Sequence, residues 1–448
     1  MGLKYRYLWV DRYCVDQDSA YEEHIINRMD KVYKHARVVI IAATGNSADD
    51  GLPGISAQRD QLLECTVGSF TFRQVPPYGL DYVRDTAWAT RGWTYQEGYL
   101  SYHRLFFSNT QTIFACDEML FPESLPCGFD LDHFGDYPVF IRGFVHDMNS
   151  YYHLTQDVQA YSSRKLKYDS DSLRAFLGVL NDYKDCSKHQ LHHLWGVTIG
   201  VSSLPTETLQ APRIALDWIH TPGELARRRP GCPSWSWVGW AGEVEFPSKL
   251  KATLSVVYLD QERKAPLDAV YQTLSSSKDP PRLLYLELYV TEVMIIPGGQ
   301  VKPLEDLYPR DLHPDFFAIL PITDTEHMAC AIYLDSAVDM MTPYEAILLE
   351  ASDEVGNSNF EDPPPSVWDP WPKLLVMKKT EDHFERVGLV IVVQLVPSEY
   401  RYCTSGGLGF RSTHLSNGAV ELLPLECPIP LTEQKWRKNA EKRTICLG

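Results

Sequence analysis

Trp93 and Glu97 stand four residues apart in the stretch Arg91-Gly92-Trp93-Thr94-Tyr95-Gln96-Glu97. On a helix that spacing places the two side chains on one face, one turn apart. An indole beside a carboxylate makes a floor for a ligand, the ring giving a stacking surface and the carboxylate an acceptor or base. The same spacing fits a structural carboxylate held by a cap or an ion pair, since ion-pair networks also hold such groups. Two loops carry further polar residues. Asp11, Cys14, Asp16 and Gln17 come after the apolar run Tyr7-Leu8-Trp9-Val10, and Thr44, Gly45, Asn46 and Ser47 come after Val38 to Ala43. Ordinary turn chemistry is the other reading of both loops. Cys186, His189, His192 and His193 lie close together, but a structural zinc site needs four ligands at usable spacing. A second ligand pair is not evident, so no metal is expected.

The elements that would position these groups can be read from periodicity. Tyr7 to Val10 reads as a short strand. Ser19-Ala20-Tyr21-Glu22 fits a capping box, and Ile25, Ile26, Met29, Val32, Tyr33 and Ala36 then recur at helical spacing. Val38 to Ala43 lacks alternation, as expected of a strand buried on both faces. Strand, helix and strand in so short a span predict a βαβ unit and a parallel sheet, whose ligands collect beyond the carboxyl ends of the strands. Residues 62 to 75 suggest a strand or hairpin, Trp88 to Tyr99 a helix, and Arg104 to Ser108 with Gln111 to Cys116 two strands. From Cys116 to about 150 the chain reads as an irregular crossing.

A helical region comes next, with Asp169 to Asp171 capping a helix through Leu173, Phe176, Leu177 and Leu180. Ser234-Trp235-Ser236-Trp237-Val238-Gly239-Trp240 predicts a strand with an aromatic face in a core or interface. Beyond residue 250, apolar runs at Thr253 to Leu259, Leu283 to Ile296, Phe317 to Leu320, Ala331 to Leu334, Ala346 to Leu349, Leu374 to Met377 and Val387 to Val396 are separated by turn clusters. Ser405-Gly406-Gly407-Leu408-Gly409 reads as a turn, and Asp362-Pro363-Pro364-Pro365 as a surface loop. The expected organisation is an α/β domain over 1–135, a helical connection over 136–232 and a β-rich region over 233–448.

The 448 residues carry a net charge of -17, 44% hydrophobic and 23% charged residues. The acidic balance argues against non-specific nucleic-acid binding, since no basic field would collect phosphates. Arg227-Arg228-Arg229 and the stretch from Lys435 to Arg443 read as solvated surface. The longest apolar runs are too short to span a bilayer, and the N-terminal residues lack the apolar region of a secretory signal. Ten scattered cysteines without a Cys-x-x-Cys pair suggest reduced thiols and a cytoplasmic location.

Taken together, Leu8-Trp9-Val10-Asp11-Arg12-Tyr13-Cys14-Val15-Asp16-Gln17-Asp18, then Met29, Val32-Tyr33 and Ala36, then Arg91 to Glu97 with Arg104-Leu105-Phe106-Phe107, resemble the fungal heterokaryon-incompatibility (HET) domain family. The likeness covers roughly residues 5 to 116. Tyr161-Ser162-Ser163-Arg164, Asp171 to Gly178, Pro233 to Trp237 and Phe384 to Gly388 resemble segments found C-terminal to that domain in many such proteins. The resemblance implies a role in non-self recognition and programmed cell death, and a fold similar to the TIR domain, a flavodoxin-like parallel sheet. Some TIR domains cleave NAD at the nicotinamide–ribose bond with a Glu four residues after a Trp. By that likeness Glu97 is the catalytic candidate, and Asp11, Cys14, Asp16, Gln17, Thr44 and Trp93 are the nucleotide-binding candidates. NAD would be substrate, and no cofactor is implied.

The sequence departs from the family pattern in two ways. A further segment, a first strand ending near a Ser-Tyr-x-Trp-Gly block, usually precedes the part matched here. Its absence implies an N-terminally truncated sheet with one edge exposed. Arg12-Tyr13 also replaces a smaller, more apolar pair. Three readings therefore stand: an NAD-hydrolysing effector, a degenerate non-catalytic module acting through protein partners or self-association, and a scaffold in which the β-rich region alone functions.

Overall fold

The computed structural model describes residues 5–15, 22–45, 47, 49–76, 81–84, 86–125, 128–130, 150–186, 192–200, 213–221, 226–247, 257–258, 280–297, 301–302, 315–321, 327–340, 342–349, 373–392, 410–414, 420–424 and 435–448. Asp16, Gln17, Ser19, Asn46, His189 and the stretches 362–365 and 405–409 lie outside the described residues. The chain divides into two compact units: Met1–His153 with Arg164–Ser187, and Leu154–Ser163 with Lys188–Gly448.

The first unit begins with three short helices, α1 (Asp11–Cys14), α2 (Glu22–Ile26) and α3 (Met29–His35), and a strand, β1 (Val39–Ala42). The hairpin of β2 (Glu64–Val67) and β3 (Phe70–Arg73) is next, then α4 (Asp81–Arg84), α5 (Ala87–Thr90) and α6 (Trp93–Leu100). After these come β4 (His103–Phe107), β5 (Thr112–Cys116), β6 (Met119–Pro122) and β7 (Phe129–Asp130). The helix α7 (Ser150–Ser162) runs across the division between the units, and α8 (Asp171–Cys186) belongs to the first.

The sheet runs β1-β4-β5-β6-β7 and is mixed: β1 and β4 are parallel, and the other pairs are antiparallel. This corrects the expected βαβ unit. Tyr7 to Val10 is irregular, with Tyr7 and Leu8 exposed, and the chain turns directly into α1. An apolar run becomes a strand only where a neighbour completes its hydrogen bonds, and among the described residues β1 pairs with β4 alone. For the same reason β1 is an edge strand: Ile41 is fully buried while Ile40 is exposed, so it is not covered on both faces. The expected irregular crossing after Cys116 instead supplies β6 and β7.

Helices α3, α6 and α8 pack together. Tyr95 meets Phe176 at 5.7 Å and Tyr99 stacks on Tyr183 at 6.4 Å. Each buried aromatic of this kind contributes about 1.5–3 kcal/mol. Gly178 permits the close approach: a Cβ there would lie 2.5 Å from Gln96 Oε1 and 2.9 Å from Leu100 Cδ1. The single helix expected over Trp88 to Tyr99 is broken. Arg91 is extended, at φ -87° and ψ 137°, and the chain at this point pairs with Lys165. A Cβ on Gly92 would strike Leu166 Cδ2.

The second unit is built on an antiparallel sheet that closes on itself. Leu284–Pro297 pairs with Phe316–Pro321, which continues through His327–Leu334, Phe384–Ile391, Lys373–Lys379 and Pro343–Leu349 back to Leu284–Pro297. Closure gives each strand of this cycle a partner on both sides. Ile295, Leu320, Ile332, Leu374, Val390 and Trp436 are among the side chains of its core. The β-rich C-terminal expectation holds. The tryptophan stretch is corrected: Trp235 lies in a turn, Trp237–Gly239 is a 3-10 turn, and only Trp240–Ala241 pairs as a strand. All three indoles are buried, their N–H groups donating to the carbonyls of Arg282, Gly196 and Ser234 respectively. Arg229 is buried too, contrary to a solvated reading, because carbonyls of Val238 and Trp240 accept from its guanidinium.

Candidate functional site

Helix α6 carries Glu97 opposite its buried residues Tyr95 and Tyr99. Its carbonyl accepts from Ser101 Oγ at 2.6 Å. The turn before α6 is fixed from within the unit. Thr94 Oγ1 donates toward the carbonyls of Trp88 and Arg91, the latter at 2.8 Å. The Arg164 guanidinium donates to Arg91 O at 3.3 Å and Thr94 Oγ1 at 3.2 Å, and lies 4.7 Å from the Tyr95 ring centre.

The indole beside the carboxylate is Trp88. Its Nε1 donates to Glu97 Oε2 at 3.4 Å, and its ring meets Phe106 of β4 edge-on at 5.7 Å. Trp93 donates instead to Asp171 Oδ2 at 3.0 Å, at the start of α8. The break at Arg91 is what allows Trp88, nine residues before Glu97 in sequence, to turn back over it.

Protein crowds the Glu97 carboxyl, and this burial pushes its pKa up from 4.5 to about 7. The Trp88 hydrogen bond opposes the rise, the charge of Asp11 adds to it, and Arg91 and Arg164 oppose it. A carboxyl so placed is divided between acid and base at neutral pH, as a group that exchanges protons or senses charge must be. Tyr33 on α3 belongs to the same electrostatic neighbourhood. Burial, then Glu97 and Asp11, hold its phenol well above the usual range, with Arg91 opposing. Trp9 meets the Tyr33 ring edge-on at 6.4 Å.

Glu97 is thus bonded by Trp88 and lies within the electrostatic reach of Asp11, Tyr33, Arg91 and Arg164. Cys14 is exposed, its Sγ accepting from Val10 N at 3.4 Å. Thr44, just past β1, donates to Asn109 Oδ1 at 2.8 Å, joining the loops at the carboxyl ends of the two parallel strands. Among the described residues no group of three or more His, Cys, Asp or Glu side chains is placed to hold a metal. Helical spacing could not have shown Trp88, which lies on a different helix from Glu97. Nor could it show Arg164, which arrives from far along the chain. Tyr33 did carry a signal, as part of the Val32-Tyr33 block.

A mixed-sheet α/β unit with a crowded carboxylate of near-neutral pKa defines the class. Within it, residues 1–97 match the family model described as heterokaryon incompatibility protein (HET). The match is to the N-terminal part of the chain, and the matched segment ends on Glu97 itself. Comparison with curated proteins and with solved structures finds no match. Among the described residues no helix is long and apolar enough to cross a membrane.

Proposed function

We propose that the first unit is a TIR-like domain that hydrolyses NAD to nicotinamide and ADP-ribose, and that the protein acts as an effector of fungal non-self recognition and cell death. The observation that carries this reading is the Glu97 carboxyl, raised to about 7 by burial and held by the Trp88 indole. In the reaction the bond from the anomeric carbon to the pyridinium nitrogen breaks, and its electron pair leaves with nicotinamide. Water supplies the oxygen that replaces it and loses a proton to solvent. The carbon passes through an oxocarbenium-like state, and an ionised Glu97 beside it offsets the developing positive charge. A buried carboxylate does this better than one in water, because little solvent screens it. Trp88 holds the carboxylate in place, and the parallel pair β1–β4, with Thr44 at its carboxyl end, supplies the kind of crevice in which nucleotides bind.

NAD consumption by the purified chain tests the proposal. Turnover is expected, rising with pH through about 7 as Glu97 ionises. Glu97→Gln is expected to lower it by at least about 100-fold while the protein stays folded. A Glu97→Gln protein that consumes NAD at the original rate would end the catalytic reading.

A further inference from the structure

His220 is buried in the second unit, on a strand of two residues, Ile219–His220, that pairs with Val244–Glu245. Its ring lies edge-on to Trp218 at 5.3 Å and to Trp240 at 6.0 Å. Nδ1 is 3.1 Å from Glu243 O. A carbonyl only accepts, so Nδ1 carries the proton of the neutral ring and Nε2 is left as an acceptor. Nε2 faces Asp335 Oδ1 at 3.7 Å, and neither atom has a hydrogen-bond partner among the described residues. Two buried acceptors thus confront each other with no proton between them. Asp335 is held in this position, because its Oδ2 accepts from Arg386 Nε at 2.6 Å.

We infer that His220 is a proton-operated release: mild acid places a proton on Nε2, and the tryptophan-rich segment that carries the ring then lets go of the closed sheet. The proton comes from solvent and makes Nε2 a donor, which gives Asp335 Oδ1 a partner. It also makes the ring a cation. Arg386, from Phe384–Ile391, and Arg229, which follows the strand Arg227–Arg228, already bring positive charge to the ring, and Arg228 lies 5.4 Å from the centre of the Trp240 ring. Asp335 is the carboxylate that answers them. Glu243 meets the ring through its carbonyl; its carboxylate accepts from Gln159 at 3.5 Å, and that of Glu245 accepts from Thr221 Oγ1 at 3.3 Å. Burial first, with the two guanidinium groups, outweighs Asp335 and the Glu243 carbonyl, so the ring is held below the ordinary His value.

A buried ring that must become a cation is relieved by reaching water. Its two-residue strand allows this, since so short a pairing opens locally more readily than a closed sheet. An opened ring titrates near 6.5 and the buried ring lower. Between the two values the open state holds a proton that the closed state lacks. The advantage of the closed state is therefore complete above about 6.5 and is lost as pH falls toward the buried value. The change also reaches the neighbouring bonds. Arg386 donates to Leu216 O at 2.8 Å and to Trp218 O, so an imidazolium that draws on Asp335 weakens the ion pair holding that guanidinium against the segment. In the first unit the raised Glu97 carboxyl favours the folded form in acid, so the two units respond to pH with opposite sign. The release is independent of any chemistry at Glu97.

Amide exchange of the full chain, compared as protection factors at about pH 7.5 and about pH 5.5, tests it, since these values bracket the ordinary His range. Protection from Ile214 to His220 and in Val244–Glu245 should fall by at least about 10-fold in acid, while that of α6 and α8 should not fall. His220→Asn keeps an N–H for Glu243 O and cannot titrate, so its protection there should change by less than about 2-fold between the two pH values. Carbon NMR of the histidine-labelled wild-type chain reads the ring itself, identified by its contacts with Trp218 and Trp240, whether or not the variant folds. Its midpoint should lie below 6.5. Protection that is unchanged in acid, that falls equally in both units, or that falls as far in His220→Asn overturns the proposal. So does a ring whose midpoint lies at or above 6.5.

Discussion

Glu97 ties function to stability through one proton. Its carboxyl titrates near 4.5 in the unfolded chain and near 7 in the folded one. Across that window the folded state holds a proton that the unfolded state has lost. The associated stability is fully present below about 4.5 and is lost as pH rises through about 7. The difference corresponds to roughly 3 kcal/mol. Glu97→Gln keeps the shape and the acceptor for Trp88 without the charge. It should leave thermal stability nearly unchanged at about pH 4 and raise it at about pH 8 by up to about 3 kcal/mol. Destabilisation at both pH values would instead mark a carboxylate that the fold needs ionised. Trp88→Phe removes the one hydrogen bond that draws the carboxyl downward. Its ionisation midpoint should move above that of wild type, and the pH dependence of NAD turnover should move with it. A profile that stays in place would mean that Trp88 does not act through the carboxylate.

Between elements, the close approach of α3, α6 and α8 holds Glu97 in position, and Gly178 is its tightest point. Gly to Ala in a helix is ordinarily favourable by about 1 kcal/mol. Here the new methyl would meet Gln96 Oε1 at 2.5 Å, Asp30 Cβ at 2.9 Å and Leu100 Cδ1 at 2.9 Å. Gly178→Ala should therefore destabilise by about 1–3 kcal/mol, and a gain in melting temperature would show that α8 can shift aside. Elements with a strong local signature were legible in the sequence. The strands around Phe106 and Ile113, the hairpin at 64–73 and the helix from Asp171 each matched an expected run. What failed depended on partners. Tyr7 to Val10 has the composition of a strand but no ladder to join. The helix through Trp93 breaks at Arg91 because Lys165 offers pairing there. The stretch Ser234 to Trp240 alternates like a strand, yet its buried indoles donate to the carbonyls of Arg282 and Gly196, far away in sequence, and of Ser234 within the stretch itself. The Trp93/Glu97 spacing gave no sign that Trp88 bonds the Glu97 carboxylate while Trp93 bonds Asp171, an arrangement that follows from the break at Arg91.

At the scale of the molecule, each unit has its own buried polar centre. In the second unit Arg386 is sealed from solvent. Its Nε donates to Asp335 Oδ2 at 2.6 Å, its Nη1 to Leu216 O at 2.8 Å, and its Nη2 to Trp218 O. The guanidinium also stacks 3.4 Å from the centre of the Trp218 ring. Burial pulls the Arg386 pKa below its usual value, and Asp335 is the chief group opposing that fall. Asp335 stands just past the strand His327–Leu334 of the closed sheet, and Arg386 lies within Phe384–Ile391, while Leu216 and Trp218 come from the segment that precedes the sheet in sequence. The guanidinium's bonds to the two carbonyls, with the buried Lys373–Asp217 ion pair at 2.8 Å, thus fasten an irregular tryptophan-rich segment to regular strands. An apolar pair could pack there without charge, but it would leave the two carbonyls without their donor. Asp335→Asn tests this arrangement, since it preserves the shape and strands the cation. A buried charge that loses its partner costs about 3–5 kcal/mol, so the second unit should melt earlier by that equivalent. Faster amide exchange should appear in Lys373–Lys379 and Phe384–Ile391, the strands paired around Arg386, while Gly178→Ala speeds exchange in α6 and α8. An Asp335→Asn protein with unaltered exchange in those strands would show that the Leu216 and Trp218 carbonyls and the indole face suffice to hold the guanidinium.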